Sequence, residues 1–259
     1  MTNHALAVLQ SALRDRKLDR TLTTALPPLE RRDESVLVPT GLPTLDACLH
    51  GGLPRGQLSE IAGPPSSGRT TLLLQMIGAA ARHGDIAALV DTFDRFDVGS
   101  AVAAGIDLDR LLWIRGDAIS GNSPGVVRHS RGARVETLAE RTINRALKAL
   151  NLVLQAGGFA YVALDLADVP LPALNVIPFT TWLRVQRLIE GSDTACVLVA
   201  PRPLARSAGG LTVSLTARAR WTGDADGNRH LSGADLTARV ISPRRRVDGD
   251  VGISATARY

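Results

Sequence analysis

Apolar positions along this chain follow two alternating rhythms. Leu9, Leu13 and Leu18 lie beside Arg14, Arg16 and Lys17 at helical spacing, which predicts a short amphipathic N-terminal helix over residues 5–17. Pro27, Pro28 and the mixed charges of 30–34 break that pattern, so residues 21–35 read as a linker. From residue 36 onward, short apolar runs alternate with helical stretches. Strands are expected at 57–62, 86–91, 111–115, 161–165 and 195–200, and helices at 70–82, 98–104, 135–156 and 180–190. Strand-helix alternation of this kind predicts an α/β fold with a mostly parallel central sheet covered on both faces. Residues 117–134 interrupt it with a Ser-Gly-Asn-Ser-Pro-Gly run followed by Arg128, His129, Arg131 and Arg134, which reads as a basic surface loop. Past Gly210 the rhythm shortens. Runs at 211–221, 231–241 and 251–258, separated by Gly/Asp turns, predict a β-rich antiparallel extension of the sheet. The expected organisation is therefore a helix and linker over 1–35 and one core over 36–259.

Composition narrows the function classes. The 259 residues are 45% hydrophobic and 21% charged, enough for a full core. No apolar run reaches membrane-spanning length, and the N-terminus does not read as a signal peptide, so the expected setting is the cytoplasm. Cys48 and Cys196 sit far apart in apolar stretches, which excludes a disulfide scaffold, a redox pair or a cysteine zinc site. The net charge is +5, and only Lys17 and Lys148 among the 30 basic residues are lysine. An arginine-rich positive chain admits nucleic-acid or acidic-protein partners. Aromatics make up only 3%, which argues against a base-stacking platform.

The strongest motif is Gly63-Pro-Pro-Ser-Ser-Gly-Arg-Thr70. It has the spacing of a phosphate-binding loop, G-x-x-x-x-G-K-S/T, at every defined position except the lysine. It also stands between an expected strand and an expected helix, where glycines let backbone amides turn toward phosphate oxygens and the helix dipole adds to them. Gly63, Pro64, Ser66, Ser67, Gly68, Arg69, Thr70 and Thr71 are the candidate nucleotide-binding residues. Arg69 keeps the charge of the missing lysine but is bulkier and forked, so binding can survive while turnover suffers. Thr70 is one candidate magnesium ligand. Asp165, ending the apolar strand 161–165, is the other, in the manner of a Walker B acid, although an aspartate at a strand end also caps turns. Asp91 and Asp94 offer further carboxylates at the sheet edge where open α/β folds bind ligands.

Three segments together carry a family resemblance: Thr40-Gly-Leu-Pro-Thr-Leu-Asp-Ala47, Gly51-Gly-Leu-Pro-Arg-Gly-Gln57, and Glu60 through the phosphate loop to Thr71. They resemble the core of bacterial RecA recombinases, and the similarity extends through 106–112 to the strand ending at Asp165, fading after Ala200. The resemblance implies a RecA-like P-loop core, ATP with Mg2+ as cofactor, self-association and contact with single-stranded DNA. It also sets departures in view. At the place of the water-activating glutamate stands Phe93, with Asp94 one position later. The adenine-stacking aromatic falls at Ser100, while Asp97 aligns with an acid near the base. The Asn-Gln pair that reports the nucleotide state is replaced around Ala200-Pro-Arg202. Arg202 and Arg206, in the short loop 201–210, are candidate DNA-binding residues or solvated arginines. Arg244 and Arg246 lie near the place where RecA offers two basic residues across its filament interface.

A retained scaffold with lost catalytic elements resembles the ImuA branch of RecA-related proteins. That resemblance implies an accessory of SOS-induced DNA-damage tolerance and error-prone translesion synthesis. Its partners would be single-stranded DNA, an ImuB-like polymerase homologue and an error-prone polymerase, with a second copy or RecA as further contacts and no membrane. The competing expectation is a slow DNA-stimulated ATPase forming RecA-like filaments, with Asp94 and Asp165 catalytic. A pure interaction protein using the N-terminal helix is a third.

Overall fold

A computed structural model describes residues 37–117, 137–205, 210–223, 229–241 and 250–256. These all belong to one compact unit, Glu34–Tyr259. The expected N-terminal helix and linker, the basic insert from 118 onward, and Arg206, Arg244 and Arg246 lie outside the described residues.

The chain enters through a small antiparallel pair, β1 (Leu37–Val38) with β2 (Leu53–Pro54), which brackets α1 (Pro43–Cys48). The Thr40-Gly-Leu-Pro segment is a carboxylate-organised turn. Asp46 accepts hydrogen bonds from Thr40 N and Thr40 Oγ1, both at 2.7 Å, and from Gly41 N at 3.2 Å. The buried Tyr161 hydroxyl donates to Val38 O at 2.7 Å, tying this turn to the base of the main sheet.

That sheet has eight strands in the order β10-β9-β8-β3-β7-β6-β4-β5. Its parallel half is β3 (Leu58–Ala62), β7 (Ala195–Ala200), β6 (Tyr161–Asp165) and β4 (Ala87–Asp91), ending at the edge strand β5 (Leu111–Arg115). The last three strands are β8 (Thr212–Thr222), β9 (His230–Ile241) and β10 (Asp250–Thr256). Of these, β8 still runs parallel to β3, so antiparallel pairing starts only at β9.

Why the middle strands read as unbroken apolar runs is visible in their two faces. Ile61, Leu89, Ala163 and Val197 point into one core, with Leu72, Leu73, Met76 and Ile77 of α2 (Arg69–Arg82) and Ala101 of α3 (Val98–Ala103). Val90, Val162, Leu164 and Leu198 point into the other, with Ile143, Ala146 and Leu150 of α4 (Leu138–Ala156) and Trp182, Val185 and Ile189 of α6 (Phe179–Ile189). A parallel sheet covered by helices on both sides needs apolar residues at every position, not every second one.

Three helices depart from the sequence expectation, the first being α1, which falls in a stretch where no helix is expected. Helix α4 starts at Leu138, three residues late, because Thr137 caps it in a reciprocal box with Glu140. A four-residue helix, α5 (Leu171–Leu174), forms in the proline-rich stretch, with Pro170 just before it and a proline inside its first turn. Among the described residues no helix is long and apolar enough to cross a membrane.

Candidate phosphate-binding site

The loop from Gly63 to Gly68 leaves the central strand β3 and enters α2. Its shape follows from residues that accept unusual backbone angles. Ser66 has φ +61° and Gly68 φ +88°. Gly63 is confined: a Cβ there would lie 2.5 Å from both Leu215 O and Ser67 Oγ. Gly63 N donates to Ala200 O at 3.2 Å, which fixes the loop over the end of β7. Pro64, Ser66, Thr70 and Thr71 are exposed, whereas Ser67 is buried and its hydroxyl has no hydrogen-bond partner among the described residues. This turn, with a helix N-terminus behind it and an unsatisfied hydroxyl against Gly63, fits a phosphate group.

The cation of the motif does not face outward. Arg69 is only 6% exposed and its Nη1 donates to Ala167 O at 3.4 Å, in the loop after β6. Burial lowers its pKa, and the charges of Asp165 and Asp168 oppose that shift. Arg69 thus points across β7 toward the acidic end of β6.

At that end Asp165 and Asp91 are cross-strand neighbours. Asp165 accepts from Ala167 N at 2.8 Å. Part of the residue reaches the surface, yet desolvation of its carboxyl pushes its pKa up to about 6; the Ala167 hydrogen bond opposes the rise, and the nearby charges of Asp91 and Asp168 add to it. Asp91 is buried and fully employed, accepting from Arg95 N, Phe96 N and Trp113 Nε1 at 2.9, 2.8 and 3.2 Å. It organises the 92–96 turn.

Phe93 is 7% exposed and packs into the core beneath α4 and α6. Asp94, in the left-handed region at φ +57°, turns away to β5: Arg115 Nε and Nη2 donate to its two oxygens at 2.8 and 2.7 Å. This fork holds the Asp94 carboxyl below the usual carboxylate range. In the strand order, β5 stands four places from β3, roughly 19 Å across the sheet. Asp97 caps α3, accepting from Ser100 N at 2.8 Å. The structure therefore gathers Ser67, Arg69 and Asp165 at one end of the sheet and sets Asp94 apart from them.

Arg202 is exposed, and its Nη2 donates to Asn175 Oδ1 beside a cleft of about 380 Å³ lined by Phe179, Trp182 and Leu204. The start of that loop is anchored by a residue the sequence reading passed over. Glu60, 1% exposed on β3, accepts from Leu204 N at 2.7 Å, Ala205 N at 2.6 Å and Thr212 Oγ1 at 3.2 Å. A lone charge inside an apolar strand was the available signal. Two other features had none: the Asp94–Arg115 pair, and Leu236 of β9, whose Cδ2 would lie 1.9 Å from a Cβ on Gly68.

Comparison with known proteins places these elements. Residues 21–122 match the RecA N-terminal domain. Protein RecA of Symbiobacterium thermophilum is 48% identical over 77 residues, 29% of this chain and 22% of that protein. Protein RecA of Chlorobium limicola is 50% identical over 76 residues, 29% and 22% of the two chains. For Leifsonia xyli subsp. xyli the figures are 42% over 109 residues, 36% and 30%. The N-terminal part of the chain is RecA-like, and the chain spans less than a third of the length of these curated relatives.

Proposed function

We propose that this RecA-like chain is a DNA-repair accessory whose phosphate loop survives as a binding scaffold without productive ATP hydrolysis. The reading extends to DNA-damage tolerance: weak contact with single-stranded DNA through Arg202 and Arg206, and recruitment of an ImuB-like polymerase homologue and an error-prone polymerase, with self-association through Arg244 and Arg246. One observation supports it above the others. Arg69, the motif's cation, is turned inward to Ala167 O and the acidic end of β6 instead of standing free at the loop.

The residues fit a phosphate and do not fit its hydrolysis. Gly63, Pro64, Ser66, Ser67, Gly68 and Thr71 would hold the phosphates, with Thr70 and Asp165 on the magnesium side and Asp97 toward the base. Bound Mg2+ would supply charge neutralisation on the phosphate oxygens. Desolvation raises the Asp165 pKa to about 6, so a proton competes with a cation for this carboxyl only below about that pH. No water-orienting side chain replaces a glutamate at Phe93, because that side chain is core. Asp94 in that role is the less supported alternative, since Arg115 occupies both of its oxygens.

The test is single-stranded DNA binding without nucleotide, with ADP and with ATP, together with reconstitution beside the polymerase homologue. One DNA affinity under all three conditions, and polymerase binding that needs no nucleotide, are expected. Tightening on DNA in ATP alone, as a working nucleotide switch gives, contradicts the reading.

A further inference from the structure

On the face of the sheet away from α2, helices α4 and α6 enclose a groove of about 500 Å³. Arg141, Arg145 and Lys148 line it from α4, Thr181 and Arg184 from α6, with Asn151 beside them. None of its lining residues is acidic or aromatic. Arg145 is held by Asp117 at 2.6 Å, while Arg141, Lys148 and Arg184 have no ion-pair partner among the described residues.

Three of the four cations therefore face the groove without an acidic partner among the described residues. Arg141, Arg145 and Lys148 follow one another at i, i+4 and i+7, so they share a helix face and repel each other. Arg184 adds a fourth charge from the facing helix. Three cations over about 10 Å of helix stand about 5 Å apart, a positive charge density of the same order as the negative one of a nucleic-acid strand at about one phosphate per 3.4 Å. Thr181 and Asn151 are side chains of the kind that hydrogen-bond phosphate oxygens. The apolar floor is only Leu147 and Val185, too little to anchor an acidic peptide by its side chains.

We propose that this groove binds the phosphate backbone of a nucleic acid, without sequence preference and with duplex favoured over single strand. Preference for duplex follows from the absence of any lining aromatic, since single strands are held largely by base stacking. The proposal rests on the DNA-binding reading above but assigns a surface separate from the loop at 201–210.

The experiment is anisotropy of a labelled duplex, and of its single strand, with the full chain over a range of salt. Replacing Arg141, Lys148 and Arg184 together by Ala is expected to weaken duplex binding at least about tenfold near 0.1 M salt and to cut the salt slope by about three. Exchanging the same positions conservatively, R141K with K148R and R184K, is expected to keep both. If the wild type binds DNA and the triple alanine variant, with an unchanged melting curve, binds it equally well, the groove is not the site and the DNA reading stands. If the wild type binds neither duplex nor single strand at low salt, both fall. Groove-dependent binding of single strand alone, or displacement of duplex by polyglutamate at equal charge concentration, also overturns the proposal.

Discussion

A methyl of Leu236 on β9 stands where Gly68 would carry a side chain, 1.9 Å from the position of that Cβ. The C-terminal hairpin is thereby packed onto the last glycine of the phosphate loop. Gly68→Ala combines positive-φ strain with overpacking and should cost about 2–4 kcal/mol in urea unfolding. Gly84 has φ +85° with nothing within 4 Å, so Gly84→Ala should cost only about 1 kcal/mol. Equal losses at the two sites would mean that Leu236 yields freely.

Asp94→Ala separates the scaffold from the slow-enzyme alternative. With one bond from Arg115 to each of its oxygens, the Asp94 carboxyl is drawn toward β5 and away from the phosphate loop. Any residual ATP turnover should stay within about twofold of wild type. A fall to background would make Asp94 the general base.

Asp165 gives a pH signature. Its folded pKa, about 6, lies above the ordinary value of 3.8, so the folded state binds the proton more tightly. Stability should fall as pH rises from about 4 to 6, and the full penalty, at most about 3 kcal/mol, is present above pH 6. Asp165→Asn keeps an acceptor for Ala167 N and removes the charge. It should flatten that slope and raise the unfolding midpoint at pH 7.5; an unchanged pH profile would show that the carboxyl is solvated.

Glu60→Gln tests the anchor of the loop after β7. The amide can keep Oε1 on Leu204 N and Ala205 N and donate Nε2 to Thr212 Oγ1, so the loss is the charge-assisted part of these bonds, about 1 kcal/mol. Limited proteolysis should then cut within 201–211 faster than in wild type. Unaltered cleavage would mean the loop is held by other contacts.

Much of the scaffold is legible in the sequence. Apolar runs bounded by polar turns locate β3 to β7 within a residue or so, because β4, β6 and β7 are covered on both faces, while β3 carries the buried Ser59 and Glu60 and β5 is a partly exposed edge. The strand-to-helix turn of the 63–70 motif is legible too, since Gly63 and Gly68 stand where only glycine fits. Side-chain direction is not. Nothing in the order of residues says that Arg69 turns toward Ala167, that Arg115 reaches Asp94 from a neighbouring strand, or that Leu236 arrives on Gly68 from a strand about 170 residues later. The same holds for the groove between α4 and α6. Its α4 cations repeat at helical spacing, yet Arg184 joins them only through packing.

ATP turnover by the purified chain, with and without single-stranded DNA and with nucleotide binding read in the same titration, tests the central claim most directly. Weak nucleotide binding with no turnover above background, on DNA or off it, is the expected result. A DNA-stimulated rate that vanishes in Asp165→Ala would contradict it and make the inward-turned Arg69 a resting state of a working ATPase.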